Sequence, residues 1–181
     1  MVRMWAEKEM RNYRRLAAAG VPPYTDGARE ADASNPEGYL EAEPVMRLAY
    51  ESGWLPEADG HALKVVAPLL PHLPPGPTYR AVLIERDLRE VLRSQEAMLE
   101  RNGAMAASGA SLRTAYARYL DAARGWLDRH ASTLVLQHRD VIAAPLRAAD
   151  QLHAHLGLDG DPAVTAAVID PSLHRQRASY G

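Results

Sequence analysis

The segment from Tyr79 to Glu90 constrains the fold of this 181-residue chain more than any other stretch. Tyr79–Glu85 is a short apolar run, which predicts a buried strand. Asp87 follows almost at once, with Glu90 three positions later, and this capping-box-like pattern predicts the start of a helix. A strand that leads directly into a helix is typical of an α/β sheet.

Arg86 and Ser94 are the candidate binding residues of this strand-to-helix segment. Arg86 stands at the carboxyl end of the strand, which is where α/β sheets bind ligands. Ser94 lies about two turns into the helix, so its hydroxyl and the guanidinium can converge on one anion. The alternative is an ordinary strand, a helix cap and a surface arginine.

The rest of the chain alternates between strand-like and helix-like segments. Further strands are predicted over Ala62–Ala67 and Ser132–Gln137. The predicted helices cover Met4–Ala19, Pro44–Ser52, Asp87–Arg101, Leu112–His130, a segment opened by Pro145 and closed by Gly157, and a short segment after Asp161. This order predicts a three-layer α/β domain, 1–181, with a mostly parallel sheet flanked by helices.

Composition excludes several classes of function. The net charge of −2 argues against a nucleic-acid-binding surface, which usually needs a basic excess. The chain has no cysteine, and its seven histidines show no metal-binding pattern. It contains no apolar run long enough for a membrane span and no apolar signal core, so the expectation is a cytoplasmic protein without a metal or membrane partner.

An ordered series of motifs resembles the sulfotransferase family, in particular a bacterial branch of it. The series is Lys64 on a strand, a Leu-Pro-rich loop, a strand ending at Arg86, and Ser94 eight positions later. The resemblance implies a P-loop nucleotide-hydrolase-like fold. It also implies transfer of a sulfuryl group from 3′-phosphoadenosine 5′-phosphosulfate (PAPS) to a hydroxyl or amine of a small-molecule or carbohydrate acceptor. Under it, Arg86 and Ser94 hold the 3′-phosphate of the nucleotide.

The resemblance extends from about Leu16 to the C-terminus and assigns further roles. Segments that agree with it are Gly20–Pro22, Thr25–Gly27, Asn35–Glu41, Arg139–Val141 with Ala144–Pro145, Leu156–Gly157 and Asp170–Leu173. Some relatives close a C-terminal basic segment over the nucleotide, which gives that role to Arg175 and Arg177. The alternative for these two residues is a solvated tail.

Lys64 and Glu41 are the candidate catalytic residues under the resemblance. Lys64 lies in an apolar run, and we expect it near Arg86, at the carboxyl end of a neighbouring strand, stabilising charge on the transferred group. The alternative is an edge-strand lysine that faces water. Some relatives have a histidine base two residues after this lysine, but Val66 stands there in this chain. Glu41 is therefore the candidate base. The alternative is a surface glutamate that flanks a helix, and Glu43 is the local competitor for the base role.

The N-terminus departs from the family pattern. Family members begin with a strand and a glycine-rich loop that binds the 5′-phosphosulfate through backbone N–H groups. Residues 3–10 here contain no Gly, Ser or Thr, and no apolar strand is predicted before them. The predicted fold therefore lacks its first strand, either because the chain starts downstream of it or because the loop is lost. Lys8, Arg11, Arg14 and Arg15 are possible substitutes, or simply a solvated helix face.

Two functional classes follow from these residues. The first is a PAPS-dependent sulfotransferase-like enzyme, truncated or weakly active for want of its phosphosulfate loop. The second is a non-catalytic nucleotide-binding or protein-interaction module descended from such an enzyme.

Overall fold

A four-stranded parallel sheet forms the centre of the fold. The computed structural model describes residues 2–6, 17, 19–27, 42–93 and 109–169. The strands are β1 (Val2–Ala6), β2 (Ala62–Lys64), β3 (Tyr79–Glu85) and β4 (Ala131–Gln137), in the spatial order β2-β1-β3-β4. All three pairings are parallel. The predicted α/β class with a parallel sheet is therefore confirmed.

β1 corrects the sequence-based interpretation of the N-terminus. The helix predicted to begin at Met4 is wrong over residues 4–6, because Val2–Ala6 pairs along its whole length with β3 and over three residues with β2. The described sheet therefore has a strand where we expected none. Five residues are too few to show a strand period clearly, and the helix-forming residues that follow dominated the pattern. The backbone pairing on both sides decided the outcome.

β2 is shorter than predicted and lies towards one edge of the sheet. The predicted strand Ala62–Ala67 ends at Lys64 and is followed by a 3₁₀-helix at Ala67–His72. An extended segment covers the outer side of β2. The Tyr24 N–H donates to the Ala62 carbonyl and the Ala62 N–H donates to the Pro22 carbonyl, both at 2.8 Å.

Five of the described helices match predicted ones in order, mostly with different bounds, whereas the helix at His138–Ala143 was not predicted. Pro44–Ser52 is helical only at its start, whereas the predicted helix from Leu112 begins at Gly109. The described helices are α1 (Glu43–Met46), α2 (residues 88–93), α3 (Gly109–His130), α4 (His138–Ala143), α5 (Pro145–Leu156) and α6 (Pro162–Ala167), with a further 3₁₀-helix at Leu55–Ala58.

Two apolar clusters, one on each face of the sheet, make the described fold three-layered. Alternate residues of β3 divide between them, as the two-residue period of a strand requires. The first cluster joins Tyr79, Ala81 and Leu83 to α3, α1 and the 3₁₀-helices. The second joins Val82 and Ile84 to α4 and α5. β3 is thus buried on both faces, and its carboxyl end is held in a fixed position.

Candidate functional site

The junction between β3 and α2 has the geometry that the sequence predicts. β3 ends at Glu85 and helical residues begin at position 88. The Asp87 carboxylate accepts a hydrogen bond from the Arg89 backbone N–H at 2.8 Å, and the Asp87 carbonyl accepts one from the Val91 N–H at 3.1 Å. Asp87 is therefore the helix cap, which confirms that prediction and places Arg86 immediately before the helix.

Arg86 forms a largely buried ion pair within this junction. Its Nε donates to the Glu90 carboxylate at 2.9 Å, and the two side chains are only 12% and 9% exposed. Such a bond fixes the orientation of the guanidinium. Glu90 completes the predicted capping-box pattern in sequence, but in space its carboxylate binds the arginine. An anion that approached Arg86 would share this guanidinium with Glu90.

Glu85 connects three elements at the same edge of the sheet. Its carboxylate accepts hydrogen bonds from Arg124 Nε at 2.9 Å and Arg124 Nη2 at 2.6 Å, which join β3 to α3. It also accepts one from the Gln137 amide at 2.9 Å, and Gln137 lies directly opposite Glu85 on β4. The carboxyl ends of β3 and β4 are therefore cross-linked by polar side chains.

A cleft of about 210 Å³ opens at these strand ends. It lies between β3, β4 and the C-terminal half of α3, which contributes Leu120 and Arg124. Three basic and three acidic side chains line it together with polar and apolar neighbours: Glu85, Arg86, Asp87, Glu90, Leu120, Arg124, Gln137, His138 and Arg139. Its position matches the edge at which parallel α/β sheets bind ligands. Arg86 is the predicted site residue that lies in it.

Lys64 lies apart from this cleft. β1 separates β2 from β3, so the expectation that Lys64 and Arg86 end neighbouring strands is wrong. Trp5 of β1 is level with both Lys64 and Val82. Two strand spacings and a four-residue rise therefore separate the α-carbons of Lys64 and Arg86 by about 16 Å. The Lys64 side chain is 1% exposed, so it is not the water-facing lysine of the alternative interpretation.

The other predicted site residues fall outside the described part of the chain. These are Glu41, Ser94, Arg175 and Arg177, together with the basic residues Lys8, Arg11, Arg14 and Arg15 of the N-terminal segment. Their roles stay predictions. Within residues 42–93 and 109–169, the structure brings Arg86 together with side chains that the sequence did not single out.

Sequence reasoning missed Glu85, Arg124 and Gln137. One signal was present, because Glu85 is a charged residue at the end of an apolar strand, where it must find a partner or water. The partner could not be read from the sequence. Arg124 is 39 positions away, on a helix whose period shows only which face is apolar.

Among the described residues, no group of three or more His, Asp or Glu side chains is arranged to hold a metal ion. No helix in that part of the chain has the length and apolar character needed to cross a bilayer.

No family model matches the chain, and no curated protein or solved structure shows significant similarity to it.

Proposed function

We propose that this chain is a sulfotransferase-like protein that binds PAPS at the carboxyl edge of its sheet, with Arg86 holding the 3′-phosphate. The observation that carries the proposal is the position of Arg86. It follows a strand buried on both faces, precedes a capped helix and lines a cleft at the edge where parallel sheets bind ligands. β1 pairs with β3 on the side opposite β4, and this strand would complete the P-loop-like arrangement that the resemblance implies.

The reaction would move a sulfuryl group from the donor phosphate to the acceptor. The bond between sulfur and the bridging oxygen of PAPS breaks, a new bond from sulfur to the acceptor oxygen or nitrogen forms, and the acceptor proton passes to a base. The resemblance gives the base role to Glu41, charge stabilisation to Lys64, and nucleotide contacts to Ser94, Arg175 and Arg177. These five assignments rest on the resemblance alone.

We expect turnover to be weaker than nucleotide binding. Residues 3–10 offer no glycine-rich loop for the 5′-phosphosulfate, and they contain Glu7 and Glu9. One fixed donor to developing charge is typically worth about 2.7–4 kcal/mol of transition-state stabilisation. The loss of several such donors would therefore reduce the rate of transfer more than it reduces affinity for the product.

A second candidate function is a non-catalytic module that kept the fold. The ion pairs at the sheet edge favour it. Arg86 is bonded to Glu90 and Arg124 to Glu85, so two cations of the cleft already have acidic partners inside the chain. Paired charges of this kind also occur in purely structural networks.

Thermal unfolding with adenosine 3′,5′-bisphosphate, the product of PAPS, tests the nucleotide proposal. A ligand that binds only the folded state stabilises it by about 2.7 kcal/mol at a concentration 100 times its dissociation constant. We expect a rise in melting temperature in the parent protein that is mostly lost in Arg86→Ala and in Arg86→Lys, since lysine keeps the charge but lacks the planar fork.

Arg89→Ala is the matched control, because it removes the same charge from the exposed start of the same helix. It should keep the ligand-induced shift. No shift in the parent protein up to millimolar ligand would refute the nucleotide proposal. Incubation with labelled PAPS and phenol, sugar and amine acceptors then separates the two candidates, since only the enzyme forms sulfated product.

A further inference from the structure

Two of the three arginines of the cleft are more exposed to solvent than its three carboxylates. Arg124 and Arg139 are 47% and 73% exposed. The carboxylates of Glu85, Asp87 and Glu90 are 21%, 23% and 9% exposed. The formal charges of the three arginines and three carboxylates balance, but a ligand entering from solvent meets the guanidinium groups of Arg124 and Arg139 first. An anionic group is therefore the favoured occupant.

Arg124 is held in place by carboxylates of β3 and of its own helix. Its Nε and Nη2 donate to one oxygen of Glu85, and its Nη1 lies 3.9 Å from the Asp121 carboxylate, which is mostly exposed. A guanidinium carries five N–H donors, so this anchoring engages only part of the donor set. Because the Glu85 carboxylate also accepts from Gln137, its charge is shared between two donors. Arg124 is thus oriented before any ligand arrives, which lowers the entropy cost of binding.

Arg139 approaches from the other wall of the cleft. It lies two residues beyond the end of β4, and its described ion pair is with the adjacent Asp140 at 3.4 Å. Both of these side chains are well exposed, and exposed pairs of this kind contribute little, so a ligand can compete for the arginine. Two arginines from different helices therefore flank one small cleft.

We propose that this cleft binds a tetrahedral oxyanion, the phosphate or sulfate group of a small molecule, through Arg124 and Arg139. The planar fork of arginine matches the oxygens of such groups and bonds them in pairs. A volume of about 210 Å³ suits one such group with a few attached atoms. The proposed site uses Arg124 of α3 and Arg139 of α4 and does not require a nucleotide at Arg86, so the inference goes beyond the function proposed above.

The test is a titration with inorganic phosphate and, separately, sulfate at constant ionic strength, with chloride and acetate as comparison anions. We expect binding in about the millimolar range, seen as a rise in melting temperature and as chemical-shift changes in the NMR spectrum. Arg139→Gln should weaken phosphate binding about tenfold, as expected for the loss of charge-assisted hydrogen bonds. Because Arg139 is exposed, this variant should fold like the parent.

Arg124→Gln should weaken binding by a similar factor, and Arg124→Lys by less. Arg113→Gln removes an exposed charge from the same helix, outside the cleft, and should leave binding unchanged. No effect of phosphate or sulfate beyond that of chloride would overturn the inference. So would an equal loss in Arg113→Gln, because that result would indicate long-range charge rather than a site.

Arg86→Ala separates this site from the nucleotide site. The oxyanion inference expects phosphate binding to persist in this variant. If Arg86→Ala abolishes phosphate binding while Arg124→Gln and Arg139→Gln retain it, the inference is wrong and the nucleotide proposal stands. If phosphate binds through Arg124 and Arg139 but adenosine 3′,5′-bisphosphate does not bind at all, the nucleotide proposal fails alone.

Discussion

The body of β3 and its carboxyl end are stabilised in different ways, although they are consecutive in sequence. Tyr79, Ala81, Val82, Leu83 and Ile84 are buried among apolar side chains on both faces of the sheet. The next residues, Glu85 and Arg86, are charged, partly buried and held by hydrogen bonds to other elements. The strand thus passes from apolar packing to an ion-pair network within one residue.

The difference shows how each kind of contact limits function. Apolar burial is non-directional and depends on the area removed from water, so it fixes the strand without fixing any chemistry. Ion pairs are directional, and their carboxylates compete with any anionic ligand for the same arginines. The body of β3 therefore provides a rigid support, and its end provides charged groups that a ligand can engage.

Leu83→Ala tests the apolar side of this comparison and should have the largest effect. Leu83 is almost fully buried in the cluster that contains α3. Its truncation removes transfer free energy and leaves a cavity, which together reduce the free energy of unfolding by about 2–5 kcal/mol. Urea denaturation followed by circular dichroism measures the change.

Val135→Ala is the control, because Val135 lies opposite Leu83 on β4 but is half-exposed. We expect it to cost less than about 1 kcal/mol. Equal losses in the two variants would contradict the view that burial on both faces is what holds β3.

Glu90→Gln tests the charged end and should have an intermediate effect. It leaves the Arg86 guanidinium in a mostly buried position without its carboxylate, although the amide oxygen can still accept one hydrogen bond. Hydrogen bonds to charged groups contribute about 1.5–3 kcal/mol, so we expect a loss of unfolding free energy in that range. The same variant should bind adenosine 3′,5′-bisphosphate more tightly, because Arg86 then has less competition.

The exposed pair of Arg47 and Glu51 supplies the matched comparison for that substitution. These residues are also four positions apart on one segment, but both side chains are open to solvent. Glu51→Gln should change the free energy of unfolding by less than about 0.5 kcal/mol. A Glu90→Gln effect as small as this would show that the pair at the end of β3 behaves as an ordinary surface pair.

Acid titration of His155 should give the smallest effect. Burial lowers the pKa of His155 below its ordinary value, and the nearby Arg80 acts in the same direction. Its Nε2 donates to the Ala81 carbonyl at 3.0 Å, which ties α5 to the body of β3. Below about pH 6.5, His155 of the unfolded chain binds a proton that the same residue of the folded protein resists. The contribution of His155 to the free energy of unfolding is therefore present above that pH and is lost as the pH drops through the folded pKa.

His155→Gln should reduce this pH dependence, because glutamine can donate to the same carbonyl and does not titrate. The measurement is the free energy of unfolding from pH 7.5 to 5 for both proteins. Identical slopes would show that other groups account for the acid sensitivity.

The sequence by itself determined the elements whose patterns are long or sharply bounded. The apolar run of β3, the Asp87 cap and the long period of α3 were all predictable. So were the ends of α5, which begins at Pro145 and stops at Gly157, a glycine with φ of 65°. These features depend on local propensity and on a period that many neighbouring residues share, so they can be read along the chain.

Only the tertiary structure decided the strand at Val2–Ala6, its place between β2 and β3, and the partners of the charged residues. A five-residue strand has a weak local signal, and its pairing joins residues about 60 and 80 positions away along the chain. The Arg124–Glu85 bond likewise joins residues 39 positions apart. The sequence placed Arg86 at a strand end, but the cleft around it exists because folding brought α3 and β4 to the same edge.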